Sequence, residues 1–191
     1  ITTNQPKITG DSSIEKFFVA KVGTAMYSSL SDAVAAAADG GTIDLVQDVS
    51  ERLWIRNNEN VTLNLNGYTL SSEYQTANVR HGSLTVNGPG TIKETSPNLG
   101  ALLIKGSTNA SNTDYSVATI NNVTLEGWAP VFVDQNNEKA YGVKVNLNGA
   151  TLNGKPDSSG DLGAGNYVNG SITDSENAPI INLDSTTVTS A

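Results

Sequence analysis

The stretch Val61-Thr-Leu-Asn-Leu-Asn-Gly-Tyr-Thr-Leu70 decides how this chain is read, because the chain keeps returning to it. It holds a short strand, a bend at Asn66-Gly67 and a second short strand. Val143-Lys-Val-Asn-Leu-Asn-Gly-Ala-Thr-Leu152 is nearly a copy, and Thr119-Ile-Asn-Asn-Val-Thr-Leu125 is the same device with Asn122 in the glycine slot. Leu84-Thr-Val-Asn-Gly-Pro-Gly-Thr-Ile92 stretches the bend, and Ile181-Asn-Leu-Asp-Ser-Thr-Thr-Val188 is a worn version. The shared form is aliphatic, Asn or Asp, small residue, one free position, Thr, aliphatic. Such repeats bury their apolar faces by stacking on one another, so they are read before any single motif.

Asn-Gly between alternating strands is also the signal of a two-residue hairpin. Two features argue against hairpins here. The second strand is only about three residues long, and the turn pair drifts to Asn-Asn and Asp-Ser, which suit a type I′ turn less well. A third apolar run follows as well, in Val79-Arg80, Leu102-Leu-Ile104 and Val131-Phe-Val133. Strand, bend, strand, loop, strand describes one coil of a parallel β-helix, in which each strand pairs with its counterpart in the next coil. Stacked at one corner, the recurrent Asn amides can bond along the column, and Asn tolerates the left-handed conformation. Between the corner residues Asn66, Asn87, Asn121, Asn148 and Asp184 the steps are 21, 34, 27 and 36 residues. The surplus in the longer steps leaves as loops, the richest at 106–114 and 154–166.

Residues 1–16 are polar and read as a linker or the end of a preceding domain, with residues 17–191 as a single β-helix domain. Phe17–Val22 reads as a strand, turned at Gly23-Thr24 into Ala25-Met-Tyr27. Ser29 is a candidate N-cap answered by Asp32, and Leu30, Ala33, Val34 and Ala37 mark one face of a helix that Asp39-Gly-Gly41 ends. This helix is expected to cap the open end of the stack. Segment 17–41 is then the cap, and 42–191 supplies about five to six coils.

The acidic balance, net charge −8 and sequence pI near 4.5, disfavours nucleic acid and anionic membrane as partners. No apolar run approaches the roughly 20 residues that span a bilayer. With no Cys, disulfides and thiolate metal sites are excluded. Asp157-Ser-Ser-Gly-Asp161 has too few carboxylates for a firm calcium loop. No metal or cofactor is therefore expected.

Ala20-Lys-Val-Gly23, Tyr27-Ser-Ser-Leu30, Ala33-Val34, Asp39-Gly-Gly-Thr-Ile-Asp-Leu45 and Val61-Thr-Leu-Asn-Leu-Asn-Gly67 together resemble bacterial surface proteins with a pectin-lyase-like right-handed β-helix. The resemblance covers roughly residues 17–152 and is specific for fold. It implies a secreted or cell-surface location within a larger multidomain protein, and a binding or adhesive role. It also keeps open a carbohydrate-active enzyme, a polysaccharide lyase or glycoside hydrolase, and a purely structural stalk. Glycosidases of this fold gather several Asp residues around a His-Gly pair. Arg80-His-Gly82 offers the pair without the carboxylates that two-carboxylate chemistry needs.

Aligned third strands give Ile55-Arg56, Val79-Arg80, Ile104-Lys105 and Val133-Asp134, an inward aliphatic followed by an outward charge. Arg56, Arg80 and Lys105 would then stack at about 4.8 Å per coil, each pair repelling by roughly 0.8 kcal/mol in water. Such a column suits an acidic glycan or an acidic patch on a protein, Arg forking onto carboxylate. Its bland counterpart is a solvated face relieved by Glu51, Glu73 or Glu94. Trp54, Trp128, Tyr74 and Tyr141 are candidate aromatic contacts, or packing beneath loops. The expected binding set is Arg56, Arg80, Lys105, Trp54, His81, Asp134 and Trp128, on the third-strand face and the two long loops, with no catalytic residue assigned.

Overall fold

The computed structural model describes residues 17–134, 140–156, 166–169 and 178–190. The expected linker 1–16, most of the 154–166 loop and the 157–161 calcium reading lie outside them. The described chain is mostly strand. Two short strands, β1 (Ala20–Val22) and β2 (Ala25–Tyr27), precede one helix, α1 (Leu30–Ala37), and fifteen further strands follow. β1 pairs antiparallel with β2 and with β3 (Asp39–Leu45); every other strand pairing is parallel. β1 is shorter than the sequence suggests, and Phe17 stands exposed ahead of it.

The first of two sheets contains β3, β5 (Leu53–Asn64), β7 (Ala77–Asn87), β9 (Gly100–Lys105), β10 (Ser116–Asn121), β12 (Ala129–Asp134), β13 (Val143–Asn148), β15 (Asn166–Asn169) and β16 (Ile180–Asp184). The second runs β17 (Thr187–Ser190), β14 (Thr151–Gly154), β11 (Thr124–Gly127), β8 (Thr91–Glu94), β6 (Thr69–Ser72), β4 (Val49–Ser50). In it Thr69, Thr91, Thr124, Thr151 and Thr187 share one register, with Leu70, Ile92, Leu125, Leu152 and Val188 beside them. The repeat's Thr-aliphatic ending is therefore a physical column.

Parallel register builds the core as columns of like side chains. Leu63, Val86, Ile120 and Leu147 form one, and Ile55, Val79, Ile104 and Val133 another, all fully buried. Each full burial of such a side chain is worth about 1.5–3 kcal/mol. At the last described rung the column is open. Leu183 and Val188, in register with buried Leu147 and Leu152, are each 55% exposed.

The Asn column exists, but it runs through Asn64 rather than Asn66. Asn64 donates to Asp44 Oδ1 at 2.8 Å, Asn87 to Asn64 at 2.9 Å, Asn121 to Asn87 at 2.9 Å and Asn148 to Asn121 at 2.8 Å. All four amides point their N–H toward the preceding rung, and the series ends on a carboxylate, which only accepts. Asn66 falls two residues later, in the bend, at φ 54°. Asn122, Gly149 and Ser185, each following a column residue, share that left-handed conformation at φ 54°, 60° and 50°. The glycine-slot reading of Asn122 holds.

Helix α1 begins as its cap requires. Ser29 is extended, and its Oγ accepts from Asp32 N at 3.2 Å. Leu30, Ala33, Val34 and Ala37 are buried against β1, β3 and β5. Leu30 N donates to Glu51 Oε2 at 2.9 Å, tying the first turn to the chain entering β5. The helix stops at Ala38, and strand β3 already begins at Asp39, with Gly40 at φ 82°.

Candidate binding face

The outward column follows from the register. Arg56 pairs with Arg80, Arg80 with Lys105 and Lys105 with Asp134 on successive rungs of β5, β7, β9 and β12. The charges are not alike in circumstance. Lys105 Nζ lies 3.6 Å from Asp134, so its charge is answered within the column. Asp134 acts there as a partner to Lys105.

The arginines are held differently. Arg52, Trp54 and Arg56 alternate along β5 and its approach, so all three project outward. The guanidinium of Arg52 lies 4.5 Å from the Trp54 ring centroid, that of Arg80 5.1 Å and that of Arg56 5.9 Å. All three arginines of the chain thus meet around one indole. Arg52 also lies 5.3 Å from the Tyr74 ring and bonds to Gln75 through its backbone and side-chain oxygens. Burial, and then the Arg80 charge, pull the Arg52 pKa below its ordinary value, while Tyr74 opposes them. The guanidinium stays charged at any working pH. Each cation over an indole face is worth about 0.5–2 kcal/mol, which offsets the mutual repulsion.

Among the described residues none of these arginines has a carboxylate within ion-pair distance, whereas Lys21, Lys93, Lys105 and Lys155 each have one. Of the three expected neutralisers, Glu51 holds α1 and Glu94 is buried, while Glu73 forms no ion pair with these arginines. Below Arg80, Asn78 Oδ1 accepts its Nε–H at 2.9 Å, while the Asn78 amide nitrogen is buried without a partner.

A cavity of about 300 Å³ opens between α1 and this cluster, lined by Ser31, Val34 and Ala35 on the helix and by Arg52, Trp54, Arg56 and Glu59. Glu59 Oε2 accepts from Arg56 N at 2.8 Å, closing the turn in which Asn57 and Asn58 are both left-handed. Trp54 is half-buried beneath guanidinium groups, so it spaces charges rather than offering a bare ring to a sugar. Tyr74, 58% exposed, is the accessible ring.

His81 occupies the same corner one rung later, in a left-handed conformation that His tolerates better than most residues. Its ring stacks on Tyr115 at 4.7 Å, 5° from parallel, and its backbone N–H donates to Ser116 Oγ. The loop 106–115 replaces that corner on the following rung, which brings Tyr115 there. Trp128 lies between β11 and β12, and Tyr141 is buried, bridging to Ser107 through the backbone. Sequence reasoning found Arg56, Arg80, Trp54 and Tyr74 but missed Arg52, Asn78 and Glu59. Arg52 carried a signal, since it shares the parity of Trp54 and Arg56; Asn78 and Glu59 carried none.

Among the described residues no group of three His, Cys, Asp or Glu side chains is placed to hold a metal, and no helix is long and apolar enough to cross a membrane. The chain matches no protein-family profile, no curated protein and no solved structure, so its reading rests on its own residues.

Proposed function

We propose that this chain is a right-handed parallel β-helix of a bacterial surface or secreted protein, and that it binds an acidic ligand, host glycan or host protein, without transforming it. The β-helix reading is supported by three sets of in-register parallel strands that recur in fixed order, by the aliphatic columns and by the aligned left-handed corners. In that architecture α1 closes the first rung. The surface or secreted origin rests on the resemblance carried by residues 17–152.

One observation carries the binding role. All three arginines converge on Trp54 beside an open cavity, and no described carboxylate answers them in a chain of net charge −8. A protein that spends its arginines this way has a favourable site for an anion, since the guanidinium fork matches carboxylate and phosphate oxygens. The test is an array of host and bacterial glycans and secreted host proteins, with release of sugar products followed in the same wells. A saturable acidic ligand, lost in the Arg56→Ala/Arg80→Ala double variant and weakened by salt, is the expected result. Affinity unchanged by the double substitution sinks the assignment, and product formation replaces it with catalysis.

A further inference from the structure

We infer that the anion taken by the Arg52–Trp54–Arg56–Arg80 cluster is a phosphomonoester carried on a compact sugar, seated in the cavity beside α1. This rests on the acidic-ligand reading above and narrows it.

Three guanidinium groups surround one indole, and a lone carboxylate, with one negative charge and two oxygens, satisfies a single fork. A phosphomonoester carries about −1.5 to −2 charges near neutral pH and three strong acceptor oxygens. Arg56 and Arg80 sit on adjacent paired strands, about 4.8 Å apart. One tetrahedral group between them offers oxygens to both forks, and Arg52 lies over the same indole, 4.5 Å from its centroid.

The cavity supplies the rest of the ligand. Its volume of about 300 Å³ lies at the small end of ligand pockets, room for a single ring rather than a peptide in extended form. Its walls are of two kinds. Val34 and Ala35 of the helix give apolar surface for the C–H face of a ring. Glu59, fixed by the Arg56 N–H, gives a carboxylate that accepts from hydroxyl groups. It also repels a second anionic group, so the ligand is anionic at one end and hydroxyl-rich at the other. The net charge of −8 likewise disfavours long polyanions.

The experiment is a titration of the whole chain with glucose 6-phosphate, glucuronate, glucose and a phosphoserine peptide, read by calorimetry and Trp fluorescence. Glucose 6-phosphate is expected to bind about tenfold or more tightly than glucuronate, since hydrogen bonds to charged groups are the strong ones. Its affinity is expected to rise between pH 5 and pH 7 as the second phosphate proton leaves, near pKa 6, while glucuronate, already ionised, stays flat. Arg80→Lys and Arg56→Lys keep the charge and remove the fork, so each should lose most of that preference with the fold intact by circular dichroism. Equal affinity for glucuronate, or a pH profile common to both, overturns the phosphomonoester and leaves the acidic-ligand reading standing. Tighter binding of the phosphoserine peptide overturns the sugar. Silence toward every anion here and in the array removes both readings together.

Discussion

Glu94 offers the sharpest test of the packing described here. It ends β8 at an inward position, paired with Ser72 of β6, and is 2% exposed. One carboxyl oxygen accepts the Ser96 N–H and the other is buried without a partner. Burial pushes its pKa from 4.5 up to about 7, against the opposing pull of the Ser96 and Leu99 N–H groups and of Lys155. Lys155 is itself held 2.5 Å from Glu126, which Lys93 also reaches at 2.9 Å. With the folded pKa raised, the folded state binds the proton more tightly than the unfolded chain. This stabilisation is fully present below about pH 4.5, drains away as pH rises toward 7, and is absent above. The difference between 4.5 and about 7 corresponds to about 3 kcal/mol. Glu94→Gln keeps the shape and the acceptor for Ser96 but cannot ionise. It should match the parent at pH 4 and exceed it by up to about 3 kcal/mol at pH 8. Urea unfolding of both proteins at each pH unit from 4 to 8 measures this, since other titrating groups cancel in the difference. A difference that does not change with pH would refute the burial argument.

Other outcomes follow from the same geometry. Asn121→Ala removes one ladder bond given and one received, and should cost about 2 kcal/mol in urea unfolding. Asn121→Asp should cost more at pH 7, because its carboxylate faces the Asn87 oxygen that the amide now serves, and part of the loss should return on acidification. Gly106→Ala places a Cβ 2.2 Å from Ala140 Cα; overpacking of this kind costs about 1–3 kcal/mol, read as a lowered Tm. Asp134→Asn releases Lys105 from its ion pair and extends the unanswered cationic column, so anion affinity in the same calorimetric titration should rise about two- to fivefold, in keeping with exposed pairs worth up to about 1 kcal/mol.

What the sequence determined was whatever the repeat encodes locally. Alternation is a property of the extended backbone, so Ile55-Arg56, Val79-Arg80 and Ile104-Lys105 could be aligned before any fold was known, and the register of β5, β7 and β9 agrees. The cap at Ser29 and the left-handed corner at Asn122 were legible for the same reason: each depends on a few adjacent residues. The same alternation placed Glu94 on the side of Ile92, inward, but its charge suggested an outward role; the parity was the better guide.

What only the tertiary structure decided was how long each corner is and what meets across it. Leu63-Asn64-Leu65-Asn66 offers two asparagines of equal parity, and the copy Leu147-Asn148-Gly149 points to the second. Four residues separate Asn64 from Thr69, whereas two separate Asn148 from Thr151, so the longer bend carries Asn66 past the column. Strand pairing fixes that choice through bonds to residues 20 to 34 positions away. The convergence of Arg52, Arg56 and Arg80 on Trp54, the release of none of them to a carboxylate, and the pairing of Lys105 with Asp134 likewise depend on neighbours in other rungs. A one-dimensional pattern sets which way a side chain points; its charge environment is set by the rungs above and below, and these come together only when the sheets form.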